Sequence, residues 1–344
     1  MRAALIRTQG GPEVLEVAEI EAPKPGPAEA LVRVRACALN HLDIWTRSGR
    51  AGYTPPFPHV LGNDIAGEVA SLPAGLDAAG LSVGQRVMLQ PGTSCGRCLM
   101  CVSGDDFACR RYQILGHGRG GGYAEFVAVP LANLIPVPDS ISFENAAAFP
   151  LVFLTAWHML VGRAQLKSGE DVLVWAAGSG VGMAAIQIAK LLGARVIATA
   201  GGKVKLELAR SLGADAVVDH YQQDVVAEVK RFTSKKGAEV VIEHTGEKTW
   251  ERSIQSLAHR GRLVTCGATS GPTGATDLRF VFSKHLTLMG SYMGSRADLL
   301  AAAPHFFSGR LKTHVHTTLP LERAADAHRM MEASEHFGKI VLTV

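Results

Sequence analysis

Up to about residue 140, apolar positions come in short runs separated by turn residues. Ala3-Ala-Leu-Ile is followed by Gly10-Gly-Pro, Leu15 to Ile20 alternates with period two, and Pro23-Lys-Pro-Gly-Pro breaks the chain before Ala30-Leu-Val-Arg-Val-Arg-Ala. The stretches 83–90 and 120–129 repeat the style. Short strands at this spacing predict an antiparallel, barrel-like β domain. Leu39, Leu42 and Trp45 recur every three residues and predict a helix over 40–47. Ser142, with Asn145 three residues on, marks a helix N-terminus, and a buried helix follows from near Pro150.

From about residue 153 the period changes. Apolar runs at 172–176, 195–199, 215–218, 239–243, 262–266 and 286–290 alternate with helical patterns at 180–192, 203–212, 222–232 and 248–259. That alternation predicts an α/β domain with a doubly wound parallel sheet. Helical patterns at 296–308 and 321–335 and a last strand from Lys339 read as a return to the first domain. The expected domains are therefore 1–152, with a lobe at 92–112, then 153–289, then 290–344.

The chain turns on one stretch, Asp171 to Lys205. A buried strand, a glycine turn (Gly178, Ser179, Gly180, Val181, Gly182), a helix closed by Gly193 and a second strand follow one another. This is the order of a dinucleotide-binding βαβ unit, in which glycines admit a pyrophosphate to the backbone and to a helix N-terminus. The spacing is G-x-G-x-G rather than G-x-G-x-x-G, so the context carries the assignment. The second strand ends in Thr199-Ala-Gly201-Gly-Lys203-Val-Lys205 with no carboxylate before Glu207. A carboxylate at that place would hold the ribose 2′-OH of NAD. Small residues beside Lys203 and Lys205 point instead to the 2′-phosphate of NADPH, with NADH the less favoured cofactor.

Charge changes the picture little. The net charge of +4 is dispersed over 344 residues and argues against a nucleic-acid partner. The apolar stretch 146–161 is interrupted by Pro150, Thr155 and His158, so no membrane span is expected. No signal peptide is evident, which suggests a cytoplasmic protein. Four of the six cysteines, Cys95, Cys98, Cys101 and Cys109, have the spacing C-x2-C-x2-C-x7-C. Four thiolates on one loop suit a tetrahedral structural Zn²⁺. An iron–sulfur cluster is the competing reading, but a ferredoxin run would end C-x3-C-P.

Taken together, the β domain, the CGRCLMCVSGDDFAC lobe, LTAWHML, AAGSGVG and HFGKIVL resemble the medium-chain dehydrogenase/reductase superfamily over essentially the whole chain. The resemblance implies a GroES-like β-barrel catalytic domain, a Rossmann domain and a cofactor cleft. Zinc alcohol dehydrogenases of that family carry catalytic Cys, His and Cys ligands where this chain has Asn40, Asn63 and Leu151. Neither leucine nor an asparagine amide suits Zn²⁺. Asn40 with Asp43, and Gly-Asn63-Asp64, look instead like the quinone oxidoreductase and enoyl reductase branch, which works without catalytic metal and normally lacks the cysteine lobe.

The resemblance implies Asn40, Tyr53 and Asp64 as catalytic-site residues, with Tyr53 the proton donor, Asn40 a donor to the nicotinamide amide or substrate carbonyl, and Asp64 an anchor. Asn40, His41, Thr155, Tyr221, Gly267 and Ala268 would lie near the cofactor, with the glycine turn, Gly201, Lys203 and Lys205. Hydride addition to a quinone, enone or enoyl thioester needs hydrogen-bond donors and a proton rather than a Lewis acid. The expected activity is NADPH-dependent reduction of a small apolar acceptor by a homodimer or homotetramer. A zinc alcohol dehydrogenase with an altered site is the runner-up. A non-catalytic cofactor-binding relative with a structural or RNA-binding role is the reading from another class.

Overall fold

A computed structural model describes residues 1–50, 52–78 and 80–344. The chain divides into two compact units, Met1–Leu151 with Lys312–Val344, and Val152–Leu311.

The first unit is built on the long strand Glu29–Ala38. Ala30, Val32 and Val34 face the core while Arg33 and Arg35 face out, as period two requires. Its seven-stranded sheet runs in the order 134–136, 86–89, 64–71, 29–38, 339–343, 315–320, with Phe126–Pro130 also pairing onto 29–38. A three-stranded sheet of 15–19, 2–6 and 59–60 and a two-stranded pair of 92–93 with 113–114 complete the β structure. Two antiparallel registers decide where the chemistry falls. Ala38 stands opposite Asp64 on one side and Val341 on the other. The second pairing runs Lys339 back toward Asn40, just beyond the strand end. The helix His41–Ser48 starts there and ends at Gly49, whose φ of 79° gives the left-handed stop.

The second unit is a six-stranded, wholly parallel sheet in the order 216–219, 195–200, 171–174, 238–243, 257–265, 287–290. Each strand of this doubly wound fold lies close to its expected place. Three details differ. The helix expected over 248–259 ends at Ser256, because Leu257 pairs with Ala238 and begins the next strand early. A short helix at Leu278–Ser283, capped by the Asp277 side chain on the Arg279 N–H, had no periodic signal of its own. The chain returns to the first unit at Lys312, not at 290. Helix Arg296–Phe307 stays with the parallel sheet, where Asp298 accepts from His158 Nδ1 at 2.9 Å and from the Ser295 backbone N–H.

The helical run Phe143–Arg163 is long and apolar enough by composition to cross a membrane, but 83% of its most apolar window is buried inside the protein. The Ser142 side chain caps its start from Asn145 N–H, as the sequence predicts.

Candidate active site

In the first unit, three elements converge on one buried node. The Lys339 ammonium donates to Asn40 Oδ1 at 2.6 Å and to Asp64 Oδ2 at 2.9 Å. Asn40 Nδ2 donates to the same Asp64 oxygen at 3.0 Å, and the Leu151 backbone N–H donates to Asp64 Oδ1 at 2.7 Å. Lys339 and Asp64 are 1% and 0% exposed, so neither charge is screened by water and each needs the other. Asp43, one turn into the helix, accepts the Asn40 and Gly62 backbone N–H groups. Burial pushes its carboxyl up to about 7, against the pull of those two N–H bonds and of Lys339.

The sequence brought Asn40 and Asp64 forward as site residues, and the structure puts them in contact. It missed Lys339, which looks like the opening residue of an ordinary strand. Of the positions aligned with metal ligands, Asn40 is committed to Lys339 and Asp64, Asn63 Nδ2 donates to the Leu115 carbonyl, and Leu151 offers only a backbone donor. Asp64 Oδ2 is taken by Lys339 and Asn40 and its Oδ1 by Leu151 N–H, His59 Nε2 is spent on the Gly116 carbonyl, and Asn63 Oδ1, which has no partner, is an amide oxygen, a poor ligand for Zn²⁺. The residues present do not fit a catalytic metal, and the ammonium among them would repel one.

Tyr53 is half-buried. Its carbonyl accepts from Gln9 Nε2 at 2.9 Å, and its ring packs on His117 with centroids 4.8 Å apart. His117 has a fixed tautomer. The Thr46 hydroxyl already donates to the Leu42 carbonyl at 2.8 Å, so the 2.8 Å contact between Thr46 Oγ1 and His117 Nδ1 carries the histidine's proton. Nε2 is then left as an acceptor beside Tyr53. Burial, with His59 nearby, holds His117 below the usual histidine range. His41 is half-exposed on the same helix, its ring 6.3 Å from Trp45.

The second unit gathers the other candidates at the C-terminal ends of its strands. Gly182 must be glycine: a Cβ there would stand 2.4 Å from the Ala176 carbonyl oxygen. Ser179 caps the helix by accepting from Gly182 N–H, and its Oγ meets His244 Nε2 at 2.8 Å. His244, buried and held below its usual range by burial, ties the glycine turn to the neighbouring strand end. It was not anticipated. Glu243 fixes that end, accepting from the Thr245 and Gly246 backbones and from the Thr249 and Ser253 hydroxyls. Gly267 and Ala268 pack against residues 244–246. Thr155 is buried in the same unit.

Beyond the end of strand 195–200, the Asp219 carboxylate is committed to the Gly202 and Tyr221 backbone N–H groups at 3.2 and 3.0 Å. The Tyr221 ring lies on Gly201, where a Cβ would approach it to 2.3 Å. Lys203 is exposed and Lys205 half-buried, its ammonium lowered by burial. Burial also lowers His220, and the charges of Arg252 and Lys205 push the same way. The place is basic, small-sided and free of an uncommitted carboxylate.

The thiols of Cys95, Cys98, Cys101 and Cys109 lie within 4.8 Å of one another. Four sulfurs at that separation, with no fifth ligand among the described residues, fit a structural Zn²⁺.

Residues 26–139 match the family Alcohol dehydrogenase GroES-like domain, and residues 180–308 match Zinc-binding dehydrogenase. A quinone oxidoreductase of Pseudomonas aeruginosa is 34% identical over 97% of this chain and 96% of its own length. The chain belongs to the medium-chain dehydrogenase/reductase superfamily. Within that superfamily it is similar to more than one branch. An alcohol dehydrogenase of Geobacillus stearothermophilus is 32% identical over the full length of both chains. A solved NAD-dependent alcohol dehydrogenase is 50% identical over both full chains, with a TM-score of 0.97. This medium-chain dehydrogenase/reductase is an oxidoreductase by that membership.

Proposed function

We propose that the protein is an NADPH-dependent, metal-independent reductase of quinones or α,β-unsaturated carbonyl compounds. The observation that supports this reading is the Lys339–Asp64–Asn40 node, which sets a fixed ammonium on Asn40, one of the positions aligned with metal ligands, while the other two are Asn63 and Leu151. NADPH, when bound, supplies the hydride. Asn40 offers an amide N–H to the nicotinamide amide or to the acceptor's oxygen, where charge develops as hydride arrives. Tyr53 gives the proton, and His117 Nε2 takes one from solvent to restore it. Ser179 and the glycine turn present the helix N-terminus to the pyrophosphate, and Lys203, Lys205 and Tyr221 surround the 2′-phosphate. His41 and Thr155 complete the cofactor contacts. The four cysteines hold one structural Zn²⁺. The acceptor is a small apolar molecule, the working form a cytoplasmic homodimer or homotetramer.

A second reading has one observation in its favour: the 50% identical structure is that of an NAD-dependent alcohol dehydrogenase. One experiment separates the two. NADPH and NADH oxidation is screened over quinones, enals and enoyl thioesters, alcohols are tried with NAD, and zinc is counted. One zinc per chain, and conjugated acceptors reduced preferentially with NADPH, support the proposal. Two zincs per chain with turnover of simple alcohols overturn it. No oxidation with any acceptor revives the non-catalytic reading.

A further inference from the structure

We infer that Lys339 is a positioning residue that locks the Asn40 side chain into a donor-only orientation. This rests on the proposed role of Asn40 in the reaction. An asparagine amide has two near-identical ends, and its direction is decided by its neighbours. Here they leave no choice. An ammonium can only donate, so the amide oxygen faces Lys339 Nζ, at 2.6 Å. An ionised carboxylate can only accept, so the amide nitrogen faces Asp64 Oδ2, at 3.0 Å. Asp64 is itself held by Leu151 N–H and by the same ammonium. One Nδ2 hydrogen is used on Asp64. Among the described residues, the second has no partner and remains for a bound molecule. Asn40 is 6% exposed, so that hydrogen is offered from a dry setting in which its bond is strong.

Without the ammonium, Asp64 alone would hold the amide, and the Asn40 oxygen, left without its donor, could rotate toward the place where negative charge develops. Lys339 touches neither cofactor nor acceptor in this scheme. It acts by making the wrong rotamer of Asn40 set amide hydrogens against the ammonium and the amide oxygen against the carboxylate.

The decisive variant exchanges two residues, Asn40→Asp with Asp64→Asn. Lys339 then donates to the carboxylate at 40, the amide at 64 donates to that carboxylate, and its oxygen still accepts from Leu151 N–H. The contact of Lys339 with position 64 becomes donor against donor and must open. The net charge of the node survives, but the outward donor at 40 is gone. We expect a folded protein with a lowered melting temperature, kcat with NADPH and a 1,4-naphthoquinone or enal probe lowered at least 30-fold, and KM for the acceptor changed less. A purely structural node predicts recovery of activity with the fold, so kcat within threefold of wild type overturns the inference.

Lys339→Met and Lys339→Arg provide a second route. Loss of kcat in the first and partial recovery in the second support it, and wild-type kcat in a folded Lys339→Met overturns it. A third measurement needs no variant. In wild-type protein labelled with ¹⁵N-asparagine, one Asn40 amide proton should be protected from exchange throughout. The other should become protected, or shift, only when NADPH and acceptor analogue are added. An Asn40 signal indifferent to both sinks the inference. Failure of the functional proposal looks different: wild-type protein itself would then reduce none of these acceptors.

Discussion

At the scale of single residues, Tyr53 and His117 divide a proton task. His117 keeps its Nδ1 proton on Thr46, so it can exchange protons only at Nε2. Tyr53→Phe should lower kcat roughly 100-fold, in the range of general acid catalysis, with KM for the acceptor little changed. Steady-state kinetics with a reducible enal check this, and unchanged kcat would move the proton donor to water. His328 shows how burial writes a pH dependence. Arg47 can only donate to its Nδ1, at 3.1 Å, so Nε2 carries the proton toward Tyr123 Oη, at 3.2 Å. Burial, aided by the Arg47 charge, lowers its pKa to about 3. The unfolded chain protonates near 6.5 while the native state does not, so stability is complete above that pH and drains away as pH falls toward about 3. The loss is on the order of several kcal/mol for a group this buried. Denaturant melts at pH 7.5 and 4.5 should show a smaller pH effect for His328→Gln, which keeps an acceptor for Arg47 and a donor for Tyr123. Equal pH effects would exclude His328 as the source.

Much of this residue chemistry was legible in the sequence, but unevenly. Asn40 and Asp64 stood out because the resemblance sets them where relatives carry a metal ligand and the glutamate beside one. Lys339 did not, since it lies 299 positions from Asn40 and only the register of its strand brings the two together. His244 was invisible for a related reason: nothing local marks a histidine that caps a neighbouring turn.

At the scale of elements, the strand–turn–helix at 171–191 is constrained by close approach. Gly182→Ala would drive a methyl into the Ala176 carbonyl, a backbone neighbour that cannot swing aside. We expect about 1–3 kcal/mol of destabilisation, as for overpacking, and at least tenfold weaker NADPH binding, read by thermal melts and fluorescence titration. A folded variant with wild-type affinity would mean that the turn shifts freely. Gly201→Asp tests the other end of the cradle. There the obstacle is the exposed Tyr221 ring, which can move, and the new carboxylate should repel a 2′-phosphate while accepting a ribose hydroxyl. The ratio of kcat/KM for NADPH to that for NADH should fall at least tenfold, and an unaltered ratio would place the ribose elsewhere. Element types were readable because hydrophobic period changes from two to the helical value near residue 153. Their ends were less so, as the early strand start at Leu257 shows, because pairing with Ala238 outweighs helical propensity there.

At the scale of the whole molecule, each unit has its own apolar core, one around Val32, Ile65 and Leu342, the other around Leu173, Ile197 and Val241. The cysteine loop belongs to the first and lies outside its core. Metal analysis should therefore find one zinc per chain, and Cys98→Ser with Cys101→Ser should lower the melting temperature by several degrees while kcat at 25 °C changes less than threefold. A collapse of kcat in folded, zinc-free protein would make the lobe part of the chemistry. The return point at Lys312 was misplaced by the sequence because a helix after a completed sheet carries no mark of the unit it joins, and the His158–Asp298 contact decides it.

The strand that carries Lys339 also dictates an order of assembly. On the ribosome, Asn40 and Asp64 emerge long before their counter-charge is translated. The parallel-sheet unit, being one uninterrupted segment, can fold while the first unit still lacks a central strand. Until that strand inserts, Asp64 has no ammonium to meet and the sheet is open beside Glu29–Ala38. The strand that closes the sheet is also the one that brings the ammonium, so closing the first unit and assembling the node are one step.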